Sequence, residues 1–103
     1  MSLPYCDVKL GKAYHAQGFF NIGVDAERYL INSERSKITI DVAGQRKIEG
    51  KMDRTTNGNG TPRVFGSTGL RDWFNSNFEM CEFVRVYFVS DKEVRLEKVP
   101  LND

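Results

Sequence analysis

The strongest constraint on the fold is a period-two alternation that recurs in short segments along the chain. Residues 38–42 (ITIDV) put Ile38, Ile40 and Val42 on one face and Thr39 and Asp41 on the other, the pattern of a strand with one buried side. Ala43-Gly44-Gln45 supplies a turn. Residues 46–52 (RKIEGKM) then return with Ile48, Gly50 and Met52 inward and Lys47, Glu49 and Lys51 outward, which predicts a half-buried hairpin. Similar patterns predict strands over Gly18 to Val24, with Phe20, Ile22 and Val24 inward, and over Arg63 to Gly66. Phe83 to Val89 and Glu93 to Val99 form a second hairpin around Ser90-Asp91-Lys92, with Val94 and Leu96 inward.

Helical spacing is confined to two places. Asp25 caps a short helix reaching Ile31, with Ala26, Tyr29 and Leu30 on one side. Ser67 or Thr68 caps another, whose Leu70, Trp73, Phe74 and Phe78 fall on one stripe; Trp73 is therefore assigned to the core. Six or seven short strands within 103 residues leave exposed edges and a bare apolar face unless the sheet closes. The expected class is mainly β, a small barrel or pseudobarrel with two short helices and an aromatic-rich interior. Residues 18–99 make up this single domain, 1–17 an N-terminal arm with Met1 to Leu3 read as a cloning remnant, and 100–103 a tail.

Composition excludes several classes. Hydrophobic residues at 40% and charged residues at 28% suit a globular domain, and no apolar run approaches the ~18 residues that span a bilayer. No membrane is expected as a partner. MSLPYCDVKLGK lacks the apolar core of a secretory signal, which favours the cytoplasm. The net charge of +1 makes no case for nucleic acid. Its distribution is uneven, however: residues 44–63 hold Arg46, Lys47, Lys51, Arg54 and Arg63 against Glu49 and Asp53.

That basic stretch ends in Asp53 to Arg63 (DRTTNGNGTPR), a polar loop between two strands. Such a loop is either a solvated turn or a contact surface. Asn57-Gly58-Asn59-Gly60 permits positive φ, and Arg54 and Arg63 flank it with fixed positive charge. Elsewhere little chemistry is visible. Cys6 and Cys81 lack metal-site spacing and read as free thiols, or as a pair closing the arm onto the body. His15 is the single histidine, and the carboxylates form neither a pair nor a metal cluster. The chain is not expected to be an enzyme, and no cofactor or metal is implied.

In this order the segments resemble the B3-like DNA-binding pseudobarrel of plant transcription factors and of specificity domains in some prokaryotic restriction endonucleases. GFFNIGVDAERYL (residues 18–30) is similar to that family's strand running into its first helix, and ITIDVAGQRKIEGKM (38–52) to its central hairpin. RVFGSTGLRDWFNSNFEMCEFVRVYFV (63–89), with Gly69, Trp73 and Phe74, resembles the late strand, helix and strand. Cys81-Glu82 stands where the family has Gly-Asp.

The resemblance implies a seven-stranded B3-like pseudobarrel that grips double-stranded DNA in the major groove with two arms. The first arm falls in Lys12 to Asn21, where Lys12, His15, Gln17 and Asn21 are the polar residues. The second is the loop after the central hairpin. Donor geometry then lets Arg54 and Arg63 bond guanine O6 and N7, Asn57 or Asn59 bond adenine, and Lys51, Thr55 and Thr56 hold phosphates. Phe19 and Tyr14 become stacking residues if exposed. The chain would serve alone or as the recognition module of a restriction or helicase-type protein. The rival is a protein-interaction or structural barrel, packing on a partner through a strand edge or through Phe83 to Val89, which is apolar on both faces except for Arg85.

Overall fold

A computed structural model describes residues 2–100; Met1 and residues 101–103, and with them most of the expected tail, lie outside the described residues. Seven strands form one sheet: β1 Tyr5–Lys9, β2 Phe19–Asn21, β3 Arg35–Val42, β4 Arg46–Asp53, β5 Arg63–Phe65, β6 Phe83–Ser90 and β7 Glu93–Lys98. Their order is β1-β6-β7-β3-β4-β5-β2, antiparallel throughout except for the β3–β7 pair. The sheet curls into a nearly closed barrel, as the strand count demanded, with β1 and β2 as its two ends. Two helices, α1 Lys12–Gln17 and α2 Ser67–Asn77, pack against it.

The alternation of the central hairpin is realised. Ile38, Ile40, Val42 and Met52 are buried, and the turn takes positive φ at Ala43 and Gly44 (54° and 70°), the paired geometry that matches strand twist. Asp41, expected outward in water, is instead buried: one carboxylate oxygen accepts from the Gly44 amide at 3.0 Å and the other from Arg95 Nε at 3.3 Å. The α2 stripe is core as expected, with Leu70, Trp73, Phe74 and Phe78 buried and Trp73 edge-on to Phe78 at 5.3 Å.

Four boundaries differ from the sequence expectation. Residues 5–9 are no detached arm but an end strand of the barrel, paired along β6. Phe83 to Val89, the docking strand of the rival reading, therefore has both edges paired, and Val84, Val86 and Phe88 lie in the core. The Gly18 to Val24 strand is paired only over Phe19–Asn21, and Val24 is 64% exposed because the chain leaves the ladder there. The Asp25 to Ile31 helix shrinks to a 3-10 turn, Glu27–Tyr29. The Ile31 amide, which an α-helix would give to the Glu27 carbonyl, donates instead to the Asp91 carbonyl at 3.0 Å, and Arg54 satisfies the carbonyls of Glu27, Leu30 and Ile31 at the end of the turn.

Backbone contacts also replace the expected cap on α2. Neither Ser67 nor Thr68 caps it; the Gly66 carbonyl accepts from the Leu70 amide at 3.1 Å, while the Gly66 amide donates to Gly18 at 3.0 Å. Gly18 ends α1 at φ 77°, and a Cβ there would meet Arg71 N and Ser67 O at 2.6 Å. Only glycine admits this close approach of the two helices. Cys6 and Cys81 are free thiols. Cys81 takes φ 76°, the left-handed backbone that suits the glycine found there in the family it resembles.

Candidate nucleic-acid interface

Strand register builds one outer face from the hairpin and its neighbours. Ser36, Met52, Val64 and Phe20 are aligned across β3, β4, β5 and β2, and the last three are core, so the flanking rows point outward. One outer row runs Lys37, Lys51, Phe65, Phe19; the next runs Arg35, Asp53, Arg63, Asn21. Phe19 contacts Phe65 at 5.8 Å and Tyr14 of α1 at 5.1 Å, which fastens the early arm to the aromatic end of this face. A shallow depression lies between Arg35, Lys37, Lys51 and Phe65.

The arginines and lysines of the barrel differ in their partners. On the β1-β6-β7 side, Arg85 forks onto both oxygens of Asp7 at 2.9 and 3.1 Å, and Arg95 pairs with Asp41. Lys47 at the sheet's turn end pairs with Glu93 at 3.3 Å. Arg63, Lys51 and Lys12, by contrast, have no carboxylate within 4.0 Å among the described residues, and Lys37 has only a long 3.9 Å contact to exposed Glu49. Cations without acidic partners keep their full attraction for an external anion.

The expected site residues separate into distinct groups. Asn21 from the early arm, Asn57 from the loop and Arg63 from β5 meet in one cluster. Arg63 Nε donates to Asn21 Oδ1 at 2.9 Å and Nη2 to Asn57 Oδ1 at 3.1 Å, while the guanidinium lies 4.9 Å over the Phe19 ring. Asn57 Nδ2 donates to Asn21 Oδ1 and to the Thr61 carbonyl, both at 3.1 Å. Lys12, Gln17, Lys51, Thr55, Thr56 and Asn59 are exposed.

Several of these residues are held by the protein itself. Arg54, expected at base edges, has a side chain only 10% exposed. It donates to the Glu27 carboxylate and to the carbonyls of Glu27, Leu30 and Ile31 at 3.0 to 3.2 Å, tying the loop to the 3-10 turn. Asn59 Oδ1 accepts from the Thr61 amide and hydroxyl at 3.2 and 2.7 Å, a local turn clamp. Thr55 gives its hydroxyl and amide to Asp53 Oδ1 at 2.6 and 2.7 Å. Those two bonds, with Arg35 adding to them, hold the Asp53 carboxyl below its ordinary value of 3.8. His15 Nε2 bonds the Phe78 carbonyl at 2.6 Å, so its ring joins α1 to the end of α2.

Arg35, Lys37 and Phe65 share this face without having been among the residues expected from the sequence. The signal was present in the turn: closing the hairpin at Val42 and Arg46 fixes Lys37 opposite Lys51 and Arg35 opposite Asp53.

No family model matches the chain, and no curated protein matches it. Among solved structures it is similar to the N-terminal domain of Helicobacter pylori LlaJI.R1, with a TM-score of 0.67 at 12% identity, covering 96% of this chain and 82% of that one. At that identity the likeness is one of fold.

Proposed function

We propose that the chain is a B3-like pseudobarrel that binds double-stranded DNA on the β3-β4-β5-β2 face, with α1 and the 54–62 loop flanking the duplex. The observation that carries this reading is the register-built array of Lys37, Lys51 and Arg63 beside Phe65 and Phe19 on one outer face, with Lys51 and Arg63 free of acidic partners among the described residues. Lys51, Lys37 and Lys12 hold phosphates, and Arg63 approaches the bases. Arg54, Asn59 and Asp53 shape the loop, and His15 fixes α1. The sequence resemblance and the fold likeness support the same architecture. The chain acts alone or as the recognition module of a restriction or helicase-type protein.

The test is fluorescence anisotropy with a labelled duplex between about 50 and about 200 mM salt, since phosphate contacts make affinity fall with salt in proportion to their number. Wild type is expected to weaken steeply. Lys51→Ala and Lys37→Ala should each lower the slope by about one. Salt-insensitive binding, or none at the lowest salt, refutes the proposal.

A further inference from the structure

We infer that Arg63 reads a single guanine, and that Asn21 and Asn57 are the positioning residues that aim it. The inference rests on the DNA-binding reading and adds to it which base is recognised and how the two arms cooperate in that step. A guanidinium has two edges able to make paired hydrogen bonds: a side edge formed by Nε and Nη2, and an end edge formed by the two Nη groups. In Arg63 the side edge is occupied, Nε by Asn21 Oδ1 at 2.9 Å and Nη2 by Asn57 Oδ1 at 3.1 Å. The end edge is left. Arg63 Nη1 makes no hydrogen bond among the described residues, and no side-chain nitrogen or oxygen that lacks a partner is buried, so Nη1 meets solvent, while Nη2 keeps its second N–H for the same edge.

The surrounding contacts fix the plane of that edge. The Phe19 ring lies 4.9 Å under the guanidinium, and Phe19 is itself wedged between Phe65 and Tyr14. The amide of Asn57 cannot turn over, because its Nδ2 donates to both Asn21 Oδ1 and the Thr61 carbonyl. Asn21 comes from the strand after α1 and Asn57 from the loop after the hairpin, so one arm supplies each support. Asn57, expected to read adenine, thereby has both ends of its amide engaged within the protein.

What the cluster presents outward is a pair of donors without an acceptor. In the major groove only guanine shows two adjacent acceptors, O6 and N7; adenine pairs its N7 with a donor, cytosine shows a donor, and thymine one acceptor with a methyl group. A donor pair held in a fixed plane therefore selects guanine. A phosphate would also accept from it, but with no preference for one base over another.

The experiment starts from selection on a library of duplexes with a randomised centre, followed by anisotropy on the enriched duplex. The expected result is a required guanine whose replacement by 7-deazaguanine, which removes only N7, weakens wild type measurably, and whose replacement by another base weakens it about 5- to 150-fold. Arg63→Ala should bind all these duplexes equally. Asn21→Ala and Asn57→Ala should lose most of the discrimination while binding unrelated duplexes as wild type does. Thermal melts check that each variant is folded. If Arg63→Ala instead weakens every sequence alike and lowers the salt slope by about one, Arg63 is a phosphate contact; the inference then fails while DNA binding stands. Absence of salt-dependent binding to any duplex overturns both.

Discussion

Arg54 offers the sharpest division between holding the interface together and touching its ligand. Replacing it with alanine removes a guanidinium whose side chain is 10% exposed and which serves the Glu27 carboxylate and three carbonyls, those of Glu27, Leu30 and Ile31. Breaking a buried ion pair from one side costs about 3 to 5 kcal/mol, and each buried acceptor left unpaired about 1 to 3 kcal/mol. Glu27 is 39% exposed and can rehydrate, so the ion-pair cost largely falls away and the three carbonyls, each at the low end of its range, set a loss of about 3 kcal/mol. For a domain of this size that is a fall in Tm of roughly 12 to 24 °C. Arg54→Lys should recover only part of it, since one ammonium cannot span a carboxylate and several carbonyls at once. Urea denaturation and thermal circular dichroism measure both variants beside Arg63→Ala, whose loss should stay within about 1 kcal/mol because its partners can be hydrated. An Arg54→Ala protein melting within about 4 °C of wild type would refute this assignment.

Three further outcomes follow from the structure. Cys81→Gly relieves a left-handed backbone at φ 76°, and the gain of about 1 to 2 kcal/mol, less the added freedom of an unfolded glycine, should appear as a small rise in the urea midpoint. At pH 8 a thiol reagent should modify exposed Cys81 quickly and half-buried Cys6 only on unfolding, since burial, reinforced by Asp7, pushes the Cys6 thiol up to about 11. Asp53 is held below its ordinary 3.8 chiefly by Thr55, so its carboxylate stabilises the fold above that pH and the contribution is lost as pH falls through the lowered value. The stability difference between wild type and Asp53→Asn should therefore shrink in acid; a difference that grows there would contradict the assignment.

The sequence made the hairpin, the α2 stripe and the mainly β, nearly closed sheet legible, because the strands and the helix are written in repeating periods that burial enforces. Where a distant residue decides local structure, it was not legible. The Asp25 to Ile31 segment has helical spacing, yet the Ile31 amide that would continue the helix is given to the carbonyl of Asp91, some 60 residues later, and Arg54 holds the carbonyls at the end of the turn. Asp41 alternates outward but is drawn under cover by Arg95 from β7. The loop arginines look alike in sequence. Only the fold separates Arg54, turned inward onto Glu27, from Arg63, braced by Asn21 and Asn57. Lys37 and Arg35 join the face through hairpin register, a consequence of where the turn falls.

Backbone amide chemical-shift mapping with an unlabelled duplex tests the central claim most directly, because it reports which side of the barrel meets the ligand. The account predicts that titration at low salt shifts Lys37, Lys51, Phe65, Phe19, Asn21 and the 55–61 loop, and leaves Arg85, Tyr87 and Arg95 on the opposite side unchanged. Shifts confined to the β1-β6-β7 side, or none with a duplex in excess, would contradict it.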